Sequence, residues 1–282
     1  MKLLRYGPPG QEKPGLLDRD SKIRDLSGAV PDIAGAALAP ASLDRLRRLD
    51  PSTLPAVAGA PRLGPCVGAV PKIVAIGLNY RLHAQEASAA IPKEPIFFMK
   101  ATSSICGPDD DVIIPKGSQK TDYEVELGIV IGSLARYVSQ AEARRHVAGF
   151  CVVNDVSERE FQIERGGQWT KGKSADTFCP IGPWLVTSDE IGDPGKLALW
   201  TEVNGERRQH SNTGDLIFGV DEIVSYVSQF LTLMPGDVIP TGTPSGVGMG
   251  FKPPKFLKPG DRMRLSVEGL GEQNQRLVAY AG

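Results

Sequence analysis

Apolar and polar residues alternate along this chain in two styles, and the change falls near residue 68. Before it, KLLRYG and SKIRDLSG read as short strands on either side of a Pro/Gly-rich turn. SLDRLRRL repeats leucine at Leu43, Leu46 and Leu49 behind Ser42, the spacing of a short capped helix. A proline- and glycine-rich stretch follows over residues 51–71, which suits a winding linker. After it the pattern turns mostly to strand. KIVAIGL, PIFFMK, DVIIP, YEVELGIVIG and FCVVNDV are apolar or alternating runs bounded by turn residues. Asn204-Gly205 reads as a tight hairpin turn, and Pro235-Gly236-Asp237 and Pro259-Gly260-Asp261 each lead into a further strand. Helical signals are few. Ser139 and Glu142 form a capping box before AEARRHV. DEIVSYVSQFL places Ile223, Tyr226, Val227 and Phe230 on one helical face, which should pack on the sheet. No repeat and no strict βαβ alternation occurs. The expectation is an α+β fold: a mixed, strand-rich β-roll with a few covering helices over residues 69–282, behind a small N-terminal α/β module over 1–68.

Composition narrows the function classes. The 282 residues are 41% hydrophobic and 23% charged, with a net charge of −1. Such balance argues against disorder and against nucleic acid as the main partner, which would want a basic stripe. No apolar run approaches the ~18 residues of a membrane span. The start, MKLLRYGPPG, lacks the apolar region of a signal peptide. Cys66, Cys106, Cys151 and Cys179 show no metal spacing, so reduced thiols in a cytoplasmic protein are expected.

Two familiar motifs fail on context. Gly167 to Ser174 matches the phosphate-loop pattern, yet a charged segment precedes it, and Pro180 and Pro183 follow where a helix is needed. Gly246, Gly248 and Gly250 hint at a dinucleotide fingerprint, but Pro253 and Pro254 forbid its helix.

Five constellations carry possible chemistry. Glu124 and Glu126 share one strand face, where two carboxylates need a compensating cation unless the strand is a solvated edge. Asp155 ends an apolar strand, as a ligand or a helix cap would. Three such carboxylates suit Mg²⁺ or Mn²⁺ with open positions for water and substrate. A helix opening at Asp155 would carry Arg159 and Gln162 on its own face, with Glu158, Glu160, Glu164 and Arg165 solvated. His83 and Glu86, three apart, suit a general base oriented by a carboxylate, or a surface contact. Lys173, among small residues, could stabilise an enolate or sit on a surface loop. The loop PTGTPSGVGMG could cradle an anion with its amides, with Thr241, Thr243 and Ser245 adding hydroxyls.

Taken in order, GLNY–xx–HAxE, DYEVELGIVIG, VVNDVSERExQ, KGKSxDTFxPIGPW and PGDVIPTGTPSGVG closely resemble the fumarylacetoacetate hydrolase family, from about Lys72 to Asp261. The resemblance implies a β-roll fold, usually dimeric, and a metal-dependent enzyme acting on a small 2-oxo acid. Residue by residue, it implies Glu124, Glu126 and Asp155 as ligands of Mg²⁺ (or Mn²⁺) and His83 with Glu86 as a catalytic dyad on a lid. Lys173 is implied as a catalytic anion-stabilising group, and Arg159, Gln162 and Thr243 as substrate contacts. It further implies cleavage of an acylpyruvate or other β-diketo acid. The tail GMGFKPPKFLKPGD resembles members acting on 2,4-diketo-3-deoxy sugar acids. Oxaloacetate decarboxylation and hydroxymuconate-type isomerisation or decarboxylation are the alternatives.

Overall fold

The strand Val125–Ile131 is buried along its whole length and lies well inside a ten-stranded mixed sheet. The structure, a computed structural model, describes residues 1–281. From one edge the sheet runs Ile23–Asp25, Lys13–Leu17, Lys2–Tyr6, Cys179–Thr187, Val147–Asn154, Val125–Ile131, Val238–Pro240, Ile73–Gly77 and Ile96–Lys100. Ile105–Cys106 pairs alongside Cys179–Thr187. A second sheet of five strands orders Glu206–Asn212, Ala198–Val203, Arg262–Val267, Glu272–Ala279 and Val112–Ile114. Asn204 and Gly205 both have positive φ (53° and 80°) in the hairpin joining its first two strands, as a two-residue turn matched to strand twist requires.

Each face of the large sheet has its own apolar cluster. Val125, Leu127, Ile129 and Phe150 pack toward Leu199, Met263 and Leu265 of the second sheet and the helix Val220–Val227. Val130, Cys151, Val153 and Ile181 pack instead against Leu3, Leu16, Ile33, Leu38 and Leu43 from the first 68 residues. The N-terminal strands continue the large sheet, with Lys2 opposite Val186 and Leu3 opposite Leu185. The result is an α+β fold of mixed sheets with few helices.

Several local expectations change. The turn assigned between KLLRYG and SKIRDLSG contains a strand, Lys13–Leu17, pairing on both sides. Pro14 and Gly15 mask it in the sequence. Gly15 is needed there, because a Cβ would stand 2.7 Å from Leu4 Cδ1. The first helix, Pro40–Arg47, starts before Ser42, which is buried within it. Ser139 does precede a short helix, but its hydroxyl donates to the Glu142 carboxylate (2.8 Å) and caps no backbone N–H. The helix Val220–Val227 stops before Phe230, which is 60% exposed and meets the rings of Tyr226 and Phe97. All four cysteines are buried and free. Among the described residues, no helix is long and apolar enough to cross a membrane.

Candidate active site

Strand register assembles the acidic floor of the site. Val153 faces Glu126 and Asn154 faces Val125 across an antiparallel pair. One step further sets Asp155 opposite Glu124, and the Asp155 N–H donates to the Glu124 carbonyl at 2.9 Å. Alternation then turns all three carboxylates to the same sheet face. This is an interior position of the sheet, so the solvated-edge reading of Glu124 and Glu126 is excluded: they are 5% and 1% exposed, and Asp155 is 1% exposed. One oxygen of each lies within 4.8 Å of the others.

Buried carboxylates need cations close by. Lys173 Nζ stands 2.6 Å from Glu124 Oε2 and 2.8 Å from Asp155 Oδ2. Arg159 Nη1 lies 2.7 Å from Glu124 Oε1, and its Nε donates to Asp122 Oδ2 at 2.9 Å. Lys100 Nζ donates to Asp155 Oδ1 from the edge strand. Burial alone would raise the Glu124 carboxyl, but Lys173 and Arg159 outweigh it and hold the pKa down at about 2. Glu126 meets no cationic side chain among the described residues. Burial, and then the charges of Asp155 and Glu124, push its pKa well up, and the charge of Lys173 and an N–H bond from Gly242 (2.7 Å) only partly oppose them.

No helix opens at Asp155. Ser157–Glu158 first pairs with Thr121–Asp122, and the helical turn begins only at Glu160. Glu158, expected to be solvated, is fully buried and accepts from Ser118, Lys120 N–H, Thr121 and Glu160 N–H. Arg159 and Gln162 reach the site nonetheless, and Arg159 Nη1 donates to Gln162 Oε1 at 3.1 Å.

The helix Arg81–Glu86 carries His83 and Glu86, with Nδ1 and Oε2 3.0 Å apart. A proton on Nδ1 leaves Nε2 as the basic atom. Behind the pair stands the glycine-rich loop 240–250, whose amides are taken by the chain's own carboxylates. Gly242 donates to Glu126, Gly246 to Glu86, and Gly248 and Met249 to Asp122. Gly246 has φ +98°, and a Cβ there would stand 2.0 Å from the Arg208 carbonyl oxygen, so only glycine fits. Thr243 donates to the Val125 carbonyl at 3.0 Å and accepts from Gln209 at 2.8 Å.

These groups line one cavity of about 300 Å³: His83, Glu124, Glu126, Asp155, Arg159, Gln162, Lys173 and Thr243. Glu86 stands just behind His83. Residues 72–278 match the model of the fumarylacetoacetate (FAA) hydrolase C-terminal family. The chain belongs to this family. A Burkholderia multivorans protein whose name gives no substrate is 64% identical over 276 residues, 98% of each chain. Among solved structures, fumarylacetoacetate hydrolase of Exiguobacterium antarcticum is 36% identical with TM-score 0.86, over 99% of this chain and 100% of that one. The 5-carboxymethyl-2-hydroxymuconate delta-isomerase of Mycobacterium smegmatis is 32% identical with TM-score 0.77, over the full length of both. Maleylpyruvate hydrolase of Sphingobium sp. SYK-6, in complex with manganese(II) and pyruvate, is 28% identical with TM-score 0.81 over 99% of both. These fumarylacetoacetate hydrolase family relatives are hydrolases and isomerases, and the chain is an enzyme of this group.

Two parts of the site escaped the sequence reading. Asp122 anchors Arg159, and its signal was the alternation that also marks Glu124 and Glu126, extended one step back. Lys100 closes the apolar run PIFFMK and is only 2% exposed. A lysine closing an apolar strand was its only trace. Chemically, the arrangement joins a three-carboxylate oxygen cage, a held lysine and an oriented imidazole.

Proposed function

We propose that this enzyme is a divalent-metal-dependent hydrolase cleaving the carbon–carbon bond of an acylpyruvate or similar β-diketo acid, giving pyruvate and a second acid. Supporting this most directly is the convergence of three buried carboxylates, Lys173 and the His83–Glu86 pair on one cavity. Glu124, Glu126 and Asp155 suit Mg²⁺, or Mn²⁺, because all three are hard oxygen donors. Glu126 is a buried carboxylate that forms no salt bridge among the described residues, and a bound cation would compensate it. An ion held there would supply Lewis-acid polarisation of the 2-oxo acid. His83, aligned by Glu86, takes a proton from water at Nε2, and the hydroxide adds to the distal carbonyl carbon. Lys173 and the Gln162 amide donate to the resulting oxyanion, and Arg159 sets positive charge beside the acid end. As the carbonyl re-forms, the C–C electron pair moves to the pyruvate carbon as an enolate, which is then protonated.

The test follows the ultraviolet absorbance of an enolised acylpyruvate with Mg²⁺ and with EDTA, with pyruvate assayed in parallel. Metal-dependent loss matched by pyruvate is expected. Pyruvate formed only from oxaloacetate, with the diketone untouched, would move the assignment to a decarboxylase. The isomerase relative favours a second reading, an enolate-forming isomerase or decarboxylase, which needs no attacking water. His83→Ala separates the two: the hydrolase reading expects turnover to fall about 10²–10⁴-fold with metal affinity kept. Unchanged turnover would favour the second reading.

Every residue lining the cavity lies beyond residue 68, which supports a catalytic unit over 69–282 completed by the N-terminal module. The exposed Phe230 beside the edge strand Ile96–Lys100 supports a homodimer, testable by sedimentation. Buried free thiols support a reducing cytoplasmic setting. The sugar-acid expectation draws on the tail motif alone, and the rest of the cavity bears on it.

A further inference from the structure

Away from its charged groups, the cavity is walled by Leu78, Phe98, Ile163, Trp169 and Met249. This wall begins at the reacting centre, because Lys173 Nζ lies 5.3 Å from the Phe98 ring centroid. Phe98 and Trp169 meet edge to face, with centroids 5.4 Å apart. The indole rests on the backbone of Gly77, where a Cβ would stand 2.2 Å from Trp169 Cζ3. Leu78 comes next in the chain and holds φ at +51°, a conformation that bulky side chains rarely adopt. Asn79 fixes that backbone: its side chain accepts from Phe218 N–H (2.9 Å) and donates to the Phe218 and Thr241 carbonyls (3.1 and 2.8 Å). Apart from the Trp169 indole N–H and the Gln162 amide, every hydrogen-bonding side chain lining the cavity already belongs to the charged cluster, to His83 or to Thr243.

We propose that this wall is a subsite for an apolar acyl group, with Leu78 and Trp169 as its specificity-determining residues. The substrate class is then an acylpyruvate bearing an alkyl or aryl group on the distal carbonyl. A polyhydroxylated chain would bury hydroxyls with almost nothing to bond, which is costly, whereas each buried methylene gains affinity. This inference rests on the acylpyruvate reading for the reaction, and its test separates the two.

Calorimetry of straight-chain 2-oxo acids, from pyruvate to 2-oxooctanoate, with Mg²⁺ present reads the wall without turnover. Affinity should rise about fourfold per methylene over the first steps. Leu78→Gly and Trp169→Ala should flatten that rise, as should Gly77→Ala by displacing the indole. No rise in the wild-type protein would overturn the subsite, as would faster cleavage of a 2,4-diketo-3-deoxy sugar acid than of hexanoylpyruvate. A clear rise with no cleavage of any acylpyruvate would keep the subsite and sink the hydrolase reading instead.

Discussion

Two ionic clusters in this molecule use the same side chains in opposite surroundings. On the outer face of the five-stranded sheet, Arg207 and Arg264 bridge Glu202 and Glu272 at 2.8–3.2 Å, and both guanidinium groups lie over the Trp200 ring. There Arg207 is 43% exposed and Arg264 52%. In and behind the cavity, Lys100, Arg159 and Lys173 face Asp122, Glu124, Glu126 and Asp155, all nearly or fully buried. The outer cluster matches two cations to two carboxylates, whereas the inner one sets three against four. Water tolerates mismatch and screens pairs, so the outer cluster can be rearranged at little cost. Without water each inner group depends on its partners, and the surplus carboxylate becomes a demand for a further cation.

Breaking the inner balance should have the largest effect. Lys100→Met strips Asp155 of one cation at unchanged bulk and should cost about 3–5 kcal/mol, read by urea unfolding. A loss under about 1 kcal/mol would mean that Lys173 alone compensates Asp155. Next comes the surplus carboxylate. The unfolded chain ionises Glu126 near 4.5, while the fold raises its pKa well above that. The metal-free protein therefore holds the proton more tightly when folded, and this group makes stability fall as pH rises above 4.5. Glu126→Gln should remove that part of the fall in thermal midpoint and abolish metal binding. An unchanged pH slope, or unchanged metal affinity, would count against the assignment. The smallest effect belongs outside: Arg207→Ala should cost under about 1 kcal/mol and leave turnover alone, and a larger loss would erase the contrast.

The inner cluster was also the more legible in sequence, for a physical reason. A strand repeats every two residues, so Glu124 and Glu126 announce a shared face, and a helix turn sets His83 over Glu86. Both patterns are local and survive without knowledge of the fold. Lys100 was not legible, because its partner Asp155 is 55 residues away and three strands lie between theirs in the sheet, so only the tertiary fold brings them together. Tertiary pairing also hid the strand Lys13–Leu17, where Pro14 and Gly15 signal a turn but two neighbouring strands impose extension. Glu158 was misread for the same reason: polar neighbours suggested solvent, while strand pairing drew it inside. The glycine-rich loop, which in sequence suits an anion cradle or an ordinary tight loop, holds the protein's own carboxylates.

That loop has a further meaning. Within eight residues its amides hold Glu126, Glu86 and, twice over, Asp122, the anchor of Arg159. A cage oxygen, the imidazole's orienting carboxylate and the arginine's support are thus all located from one short piece of backbone. It works like a machinist's datum: positions measured from a common reference do not accumulate error relative to one another. An insertion between Gly242 and Met249 would displace these groups relative to one another, whereas the Leu78 and Trp169 side chains hold none of the three.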